Sequence, residues 1–153
     1  MQSVETYYQI IEMTTLTSVD LGIINNNKIL LGLRNNEPAK GYLFTPGCRT
    51  FKYEKLDDAI TRVAKTELNL DIEPSRAKHI GVYDHIYSNN FKDNEFGTHY
   101  VNVAYRVDLL DSELDLIKPD EQHEVFQWYK LENALEDEKV HPYVKIFIRN
   151  LLG

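Results

Sequence analysis

The stretch PGCRTFKYEKLDDAITRVAKTELNL, residues 46–70, contains the segment whose reading decides the fold. On a helical wheel at about 100° per residue, Leu56, Ala59, Ile60 and Val63 make one apolar stripe. Glu67 falls in the middle of that stripe, away from the polar side that carries Asp57, Arg62 and Lys65. It also lies in the last turn, where the helix dipole disfavours a negative charge. The spacing predicts an amphipathic helix over 56–68 with one inward-facing carboxylate. Such an acid either meets an arginine inside the protein or helps to hold a cation.

Around this segment, the chain has 153 residues, 42% hydrophobic and 11% aromatic. That is enough for one domain with a packed core. No internal repeat, low-complexity tract or linker divides it, so a single domain over 1–153 is expected. One cysteine, Cys48, excludes an internal disulfide framework and points to a reducing compartment. Nothing approaches the roughly 20 apolar residues of a membrane span, and no basic N-terminal region leads into an apolar run. The expectation is a cytoplasmic protein with no membrane partner. A net charge of −7 argues against long polyanions, so no nucleic-acid partner is expected. A small phosphorylated ligand remains compatible, because two arginines and a metal make a locally positive pocket on an acidic protein.

Upstream, residues 3–13 (SVETYYQIIEM) read as an amphipathic helix with Ser3 as N-cap. LTSVDLGIIN and KILLGLR are apolar runs joined through Asn25, Asn26 and Asn27, which signals a hairpin. NNEPAKGYLFTPG reads as a loop around a short strand, and RTFKY as a further strand. Downstream, AKHIGVYDHIYS and THYVNVAYRVDL read as long strands. The second alternates, with Val101, Val103, Tyr105 and Val107 on one face. The polar segment 89–97 joins them. HEVFQWYKL is a strand and HPYVKIFIRNLL a closing helix. This order predicts an α/β fold, a mixed β-sheet sandwiched between helices in three α/β/α layers.

Within the opening stretch stand Cys48, Glu54, Arg62, Val63, Ala64, Lys65, Thr66, Glu67, Leu68, Asn69 and Leu70. Their spacing resembles the Nudix box, a loop–helix–loop that holds a diphosphate through divalent metal. The box has a glycine, a glutamate six residues on and an arginine eight after that. Glu, an apolar residue, any residue, Glu-Glu, any residue, Gly and an apolar residue follow. The spacing holds and four positions depart. Asn69 replaces the glycine that ends the helix, and Asn is the usual second choice for a left-handed residue there. Cys48 replaces the second glycine of a pair, leaving Gly47, whose carbonyl serves the metal. Val63 and Thr66 stand where the box has glutamates, leaving Glu67 as its sole metal-binding acid. With one acid, a multi-metal attack at phosphorus is poorly supported. One Mg²⁺ as counter-charge to a leaving diphosphate remains feasible, since phosphate oxygens and waters complete its octahedron.

One Nudix branch that shares this loss is GDP-mannose mannosyl hydrolase. Those enzymes cut from sugar C1 to oxygen with inversion, releasing GDP and mannose. The resemblance covers nearly the whole chain and includes LLGLRNNEPAKGYLFTPG, YDHIYSNNF, FGTHYVNVAYR and PDEQHEVFQWY. It implies the Nudix fold, a homodimer, and one Mg²⁺ (or Mn²⁺) per active site on Glu67, the Gly47 carbonyl and Gln122. It makes His123 the general base, an imidazole whose ordinary pKa near 6.5 leaves it neutral at pH 7. Arg34 and Arg49 flank the diphosphate site, where guanidinium groups neutralise a departing nucleotide, and Tyr100 adds a phenol donor. Asp20, an acid in mid-strand where Asp is disfavoured, contacts the sugar or orients active-site groups. His85 is placed near the sugar, and Tyr7 on the first helix is placed against the base. Glu54 is expected to support the loop. His79 and His141 are given no role, and His99 belongs to its strand.

Three functions stay open: mannosyl hydrolysis of a GDP-hexose, a nucleotide-sugar pyrophosphohydrolase cutting at phosphorus, and a degenerate Nudix module that only binds a nucleotide sugar. The second requires further acids, for which Asp120, Glu121 and Glu124 are the nearby candidates.

Overall fold

The computed structural model describes residues 3–118 and 125–153. In chain order they form α1 (Val4–Met13), β1 (Leu16–Asn25), β2 (Lys28–Leu33), β3 (Leu43–Phe44), β4 (Gly47–Arg49), α2 (Leu56–Leu68), β5 (Lys78–Tyr87), β6 (Thr98–Asp108), β7 (Phe126–Lys130), α3 (Leu131–Glu136) and α4 (Pro142–Leu152). Short 3₁₀ turns at Pro74–Arg76 and Asp111–Leu116 complete the connections.

Local chemistry sets the boundaries. Ser3 caps α1 by accepting from the Thr6 N–H at 3.1 Å. Asn26 and Asn27 take φ of 50° and 61°, the left-handed pair that a two-residue hairpin requires. Asn69 ends α2 at φ 59° and ψ 31°, as the helix-ending residue expected from its type. Leu70 and Asn69 there donate to the Ala64 and Lys65 carbonyls at 3.1 and 3.0 Å.

The sheet is mixed. Its strand path runs β3-β2-β1-β6-β5, with β4 pairing β1 and β7 pairing β2. β1 and β6 run parallel, from Leu16 opposite Tyr100 to Ile24 opposite Asp108, and the other pairings are antiparallel. Val19, Leu21 and Ile23 of β1, with Val103, Tyr105 and Val107 of β6, pack against α2. Ile24, Ala104, Ile29 and Leu31 face the other way, against α3 and α4. Both sheet faces are covered, which gives the expected α/β/α layers. On the α4 side, the Phe147 ring fills the space that a Cβ at Gly22 would take, so this strand position requires glycine.

Helix α2 coincides with the predicted 56–68 and buries Ala59, Ile60, Val63, Ala64, Glu67 and Leu68. Ile60, Val63 and Leu68 are 1% exposed or less and contribute about 2 kcal/mol each, which offsets the cost of an acid at 67. Leu56, assigned to the apolar stripe, is 40% exposed, because it stands at the first turn before the helix meets the sheet. The strand expected over RTFKY is corrected: β4 spans Gly47–Arg49, and the chain then turns, with Tyr53 at φ 70°. Helix α3 adds to the expected elements: the strand read over HEVFQWYKL stops at Lys130, and Leu131, its expected last residue, begins a helix that packs Leu131 and Ala134 against the core.

Candidate active site

Strand register assembles the site. Asp20 and Ser18, two residues apart on β1, share a face and lie opposite Gly47 and Arg49 of β4. Across β6, Tyr100 pairs with His85 of β5. Arg34 follows the end of β2, and its Nε donates to the Pro38 carbonyl at 2.8 Å. Asp20, Arg34, Gly47, Arg49, His85 and Tyr100, all singled out in the sequence, line one cleft of about 120 Å³. Ser18, Pro38, Phe44, Thr45 and Tyr87 line it as well, and sequence reasoning missed them. For Ser18 and Tyr87 the signal was present: each stands two residues from a selected strand residue, hence on the same face.

Two acids influence each other at this site: Asp20, half-buried and lining the cleft, and Glu67, buried on α2. The Asp20 carboxylate occupies the space where a Cβ at Gly47 would stand, so glycine there is required by the acid. Asp20 accepts from the Thr45 hydroxyl at 3.1 Å. Its pKa is pushed up to about 6, first by burial and also by the charge of Glu67, against the hydrogen bonds of Asn102 and Thr45 and the charge of Arg34. Glu67 is 8% exposed, with its Oε2 closed off from solvent.

His85 is buried and stacks parallel on Tyr143, ring centres 4.6 Å apart. Burial, and then His141, push its pKa down to about 4, so at pH 7 it presents a neutral imidazole. His141, which the sequence left without a role, caps α4 by accepting from the Tyr143 N–H at 3.1 Å. Its pKa is likewise near 4, from burial and then Arg34. Burial, and then Tyr7, raise the Tyr100 phenol above its ordinary range. Burial, followed by Asp20, does the same for Tyr87. Both phenols stay protonated and can donate.

Tyr7 stands at the mouth. Its hydroxyl lies 3.0 Å from that of Tyr100, and its ring stacks on Phe91 at 5.2 Å. The Arg49 guanidinium sits 4.4 Å from the same ring. An adjoining chamber of about 420 Å³ shares Arg34, Pro38 and Tyr100 with the cleft and is walled by Tyr7, Phe91, Asn36 and Glu37.

Glu54 is occupied elsewhere. Arg62 grips it through Nε at 2.7 Å and Nη2 at 2.9 Å, and the same Nη2 donates to the Arg49 carbonyl at 2.8 Å. Cys48 packs against the core on the α2 side. On α2, Val63 is sealed in the core and Thr66 is exposed, so Glu67 is the one acid of these three positions that is turned inward. Among the described residues, no three His, Cys, Asp or Glu side chains gather as a metal cluster. The donors at hand are oxygens: the Glu67 carboxylate, the nearby Asp20 carboxylate and the Gly47 main chain. That set suits one hard cation such as Mg²⁺ or Mn²⁺ and does not suit zinc, and a cation would relieve the mutual repulsion of the acids. Gln122 and His123, expected as metal ligand and general base, lie outside the described residues.

Residues 15–151 match the model of the NUDIX domain. The chain belongs to the Nudix family. It is 35% identical over 139 residues to the low-salt glycan biosynthesis protein Agl8 of Haloferax volcanii, covering 91% of this chain and 83% of that protein. In structure it is similar to a MutT NUDIX hydrolase from Burkholderia pseudomallei, with a TM-score of 0.74 and 23% identity over 90% of this chain and 98% of that one. It is also similar to the NUDIX domain of Shewanella oneidensis NrtR, solved with ADP ribose, with a TM-score of 0.66 and 17% identity over 99% and 100% of the two chains. At these identities the structural likenesses concern the fold. Nudix hydrolases generally use a divalent metal such as Mg²⁺. Among the described residues, no helix is long and apolar enough to cross a membrane.

Proposed function

We propose that this Nudix domain hydrolyses GDP-mannose, or a related GDP-hexose, to GDP and free sugar by breaking the C1–O bond with inversion. The observation that carries the reading is an imbalance. Two arginines and two protonated tyrosines converge on the cleft, while α2 turns inward one acid, Glu67, from the three positions where the box has glutamates. That arrangement favours a departing anion over activation of water at phosphorus. The similarity to a glycan biosynthesis protein supports a nucleotide sugar as the substrate class.

Glu67, the Gly47 carbonyl and Gln122 would hold one Mg²⁺, which supplies counter-charge to the diphosphate when bound. Arg34 and Arg49 bind the diphosphate oxygens, and Tyr100 donates to them. Asp20 and the neutral His85 line the sugar end of the cleft, where each can accept a hydroxyl proton in a hydrogen bond. His123 takes the proton of the attacking water as its oxygen bonds to C1. The electron pair of the broken C1–O bond leaves with the diphosphate. A homodimer and a cytoplasmic setting belong to the same reading.

The test is incubation with GDP-mannose and Mg²⁺ in ¹⁸O-water. GDP with labelled free mannose supports the proposal. GMP with mannose 1-phosphate would mean attack at phosphorus and overturn it. Tight binding without turnover would leave the domain a nucleotide-sugar-binding module.

A further inference from the structure

Phe51 lies in the turn between β4 and α2 and is 46% exposed, so core packing does not account for it. Its ring centre lies 5.1 Å from the Arg49 guanidinium and 4.4 Å from that of Arg62. On its other flank Arg49 meets the Tyr7 ring at 4.4 Å, and Tyr7 stacks on Phe91. A row of stacked groups thus runs from the 89–97 loop to α2: the paired rings of Phe91 and Tyr7, then Arg49, Phe51 and Arg62. The α2 end is fixed. Arg62 grips Glu54 and donates to the Arg49 carbonyl, and Glu54 accepts from the Phe51 N–H at 3.1 Å. Backbone and ring of Phe51 are therefore anchored on one ion pair.

A long arginine side chain at a cleft mouth has many rotamers, and ordering it on binding weakens affinity. An aromatic face attracts a guanidinium and restricts it. The negative faces of Phe51 also lie beside both cations, which lowers the cost of placing Arg49 near Arg62. We propose that Phe51 is a positioning residue which, together with Tyr7, holds the Arg49 guanidinium where it meets the diphosphate. The second half of this statement rests on the diphosphate reading given above.

The experiment compares the 153-residue chain with Phe51→Leu, Phe51→Tyr, Arg49→Gln and the Phe51→Leu/Arg49→Gln double variant. In ¹⁵N-labelled protein without ligand, the Arg49 Nε–H resonance is expected to carry an upfield ring-current shift. Phe51→Leu reduces that shift and Phe51→Tyr keeps it; an unchanged resonance in Phe51→Leu overturns the proposal. With Mg²⁺ and GDP, calorimetry is expected to show about tenfold weaker binding for Phe51→Leu and recovery in Phe51→Tyr. In the Arg49→Gln background, Phe51→Leu should add no further loss. Equal losses in both backgrounds would place its effect elsewhere and overturn the proposal. A wild-type protein that binds no GDP removes the diphosphate reading instead, and the Arg49 resonance still decides whether Phe51 holds the guanidinium.

Discussion

At the start of α2, Glu54 faces a guanidinium in a two-point grip, and its carboxyl is held below the usual range by Arg62. At the floor of the cleft, Asp20 faces a threonine hydroxyl and the charge of a second acid, and its carboxyl sits near pKa 6. Both acids are half-buried, and both lie beside the β4 loop. One is neutralised within the chain and stiffens the loop that carries Arg49. The other keeps its electrostatic cost, as groups at functional sites do. The difference separates scaffold from site more reliably than burial does.

Exchanging the roles of the two regions gives the largest expected effect. Glu67→Gln should lower kcat on the order of 10³-fold, whereas Glu54→Gln should change kcat less than about tenfold, as steady-state assays with Mg²⁺ would show. A large kcat loss in Glu54→Gln with Glu67→Gln active would erase the distinction. Stability should respond in the opposite sense. Glu54→Gln breaks a part-buried pair and should cost about 2 kcal/mol, lowering Tm by roughly 6 °C in calorimetry.

Asp20 sharpens the contrast through pH. Its folded pKa of about 6 lies above the ordinary 3.8, so the folded state binds the proton more tightly than the unfolded chain does. Its contribution to stability therefore falls as pH rises from about 4 to about 6. Asp20→Asn should stabilise the fold at pH 8 by about 1–2 kcal/mol once solvent screening is allowed for, seen as a higher Tm, and the gain should vanish near pH 4. It should also abolish most turnover. An equal Tm difference at both pH values would show that burial of the charge is not the cause. The smallest effect belongs to Lys65 and Asp71, an exposed pair at 3.4 Å. Lys65→Ala should stay within about 0.5 kcal/mol in the same calorimetry; a larger loss would weaken the inference drawn from Glu54 and Arg62.

Much of this was legible in residue types and spacing. Helix α2, the Asn26-Asn27 turn, the Ser3 cap and the left-handed Asn69 depend on neighbours within a few positions, and short-range sterics and hydrogen bonding set them. The inward face of Glu67 followed from helical period alone. Six of the selected site residues meet in one cleft; Asp20 was marked as an acid in mid-strand, and the others by the family resemblance. The cleft residues Phe44, Thr45 and Pro38 carried no such mark.

What the sequence by itself determined is the longer elements, α1, β1, β2, α2, β5, β6 and α4, and the acid on the inward face of α2, since each follows from a periodicity that the chain imposes on itself. Only the tertiary structure decided that β1 runs parallel to β6, that β4 pairs with β1 and not as part of RTFKY, and that Tyr7, Arg49, Phe51 and Arg62 share one stack. Those relations join residues far apart in the chain, and their free energy arises from contacts that exist only once the sheet has closed.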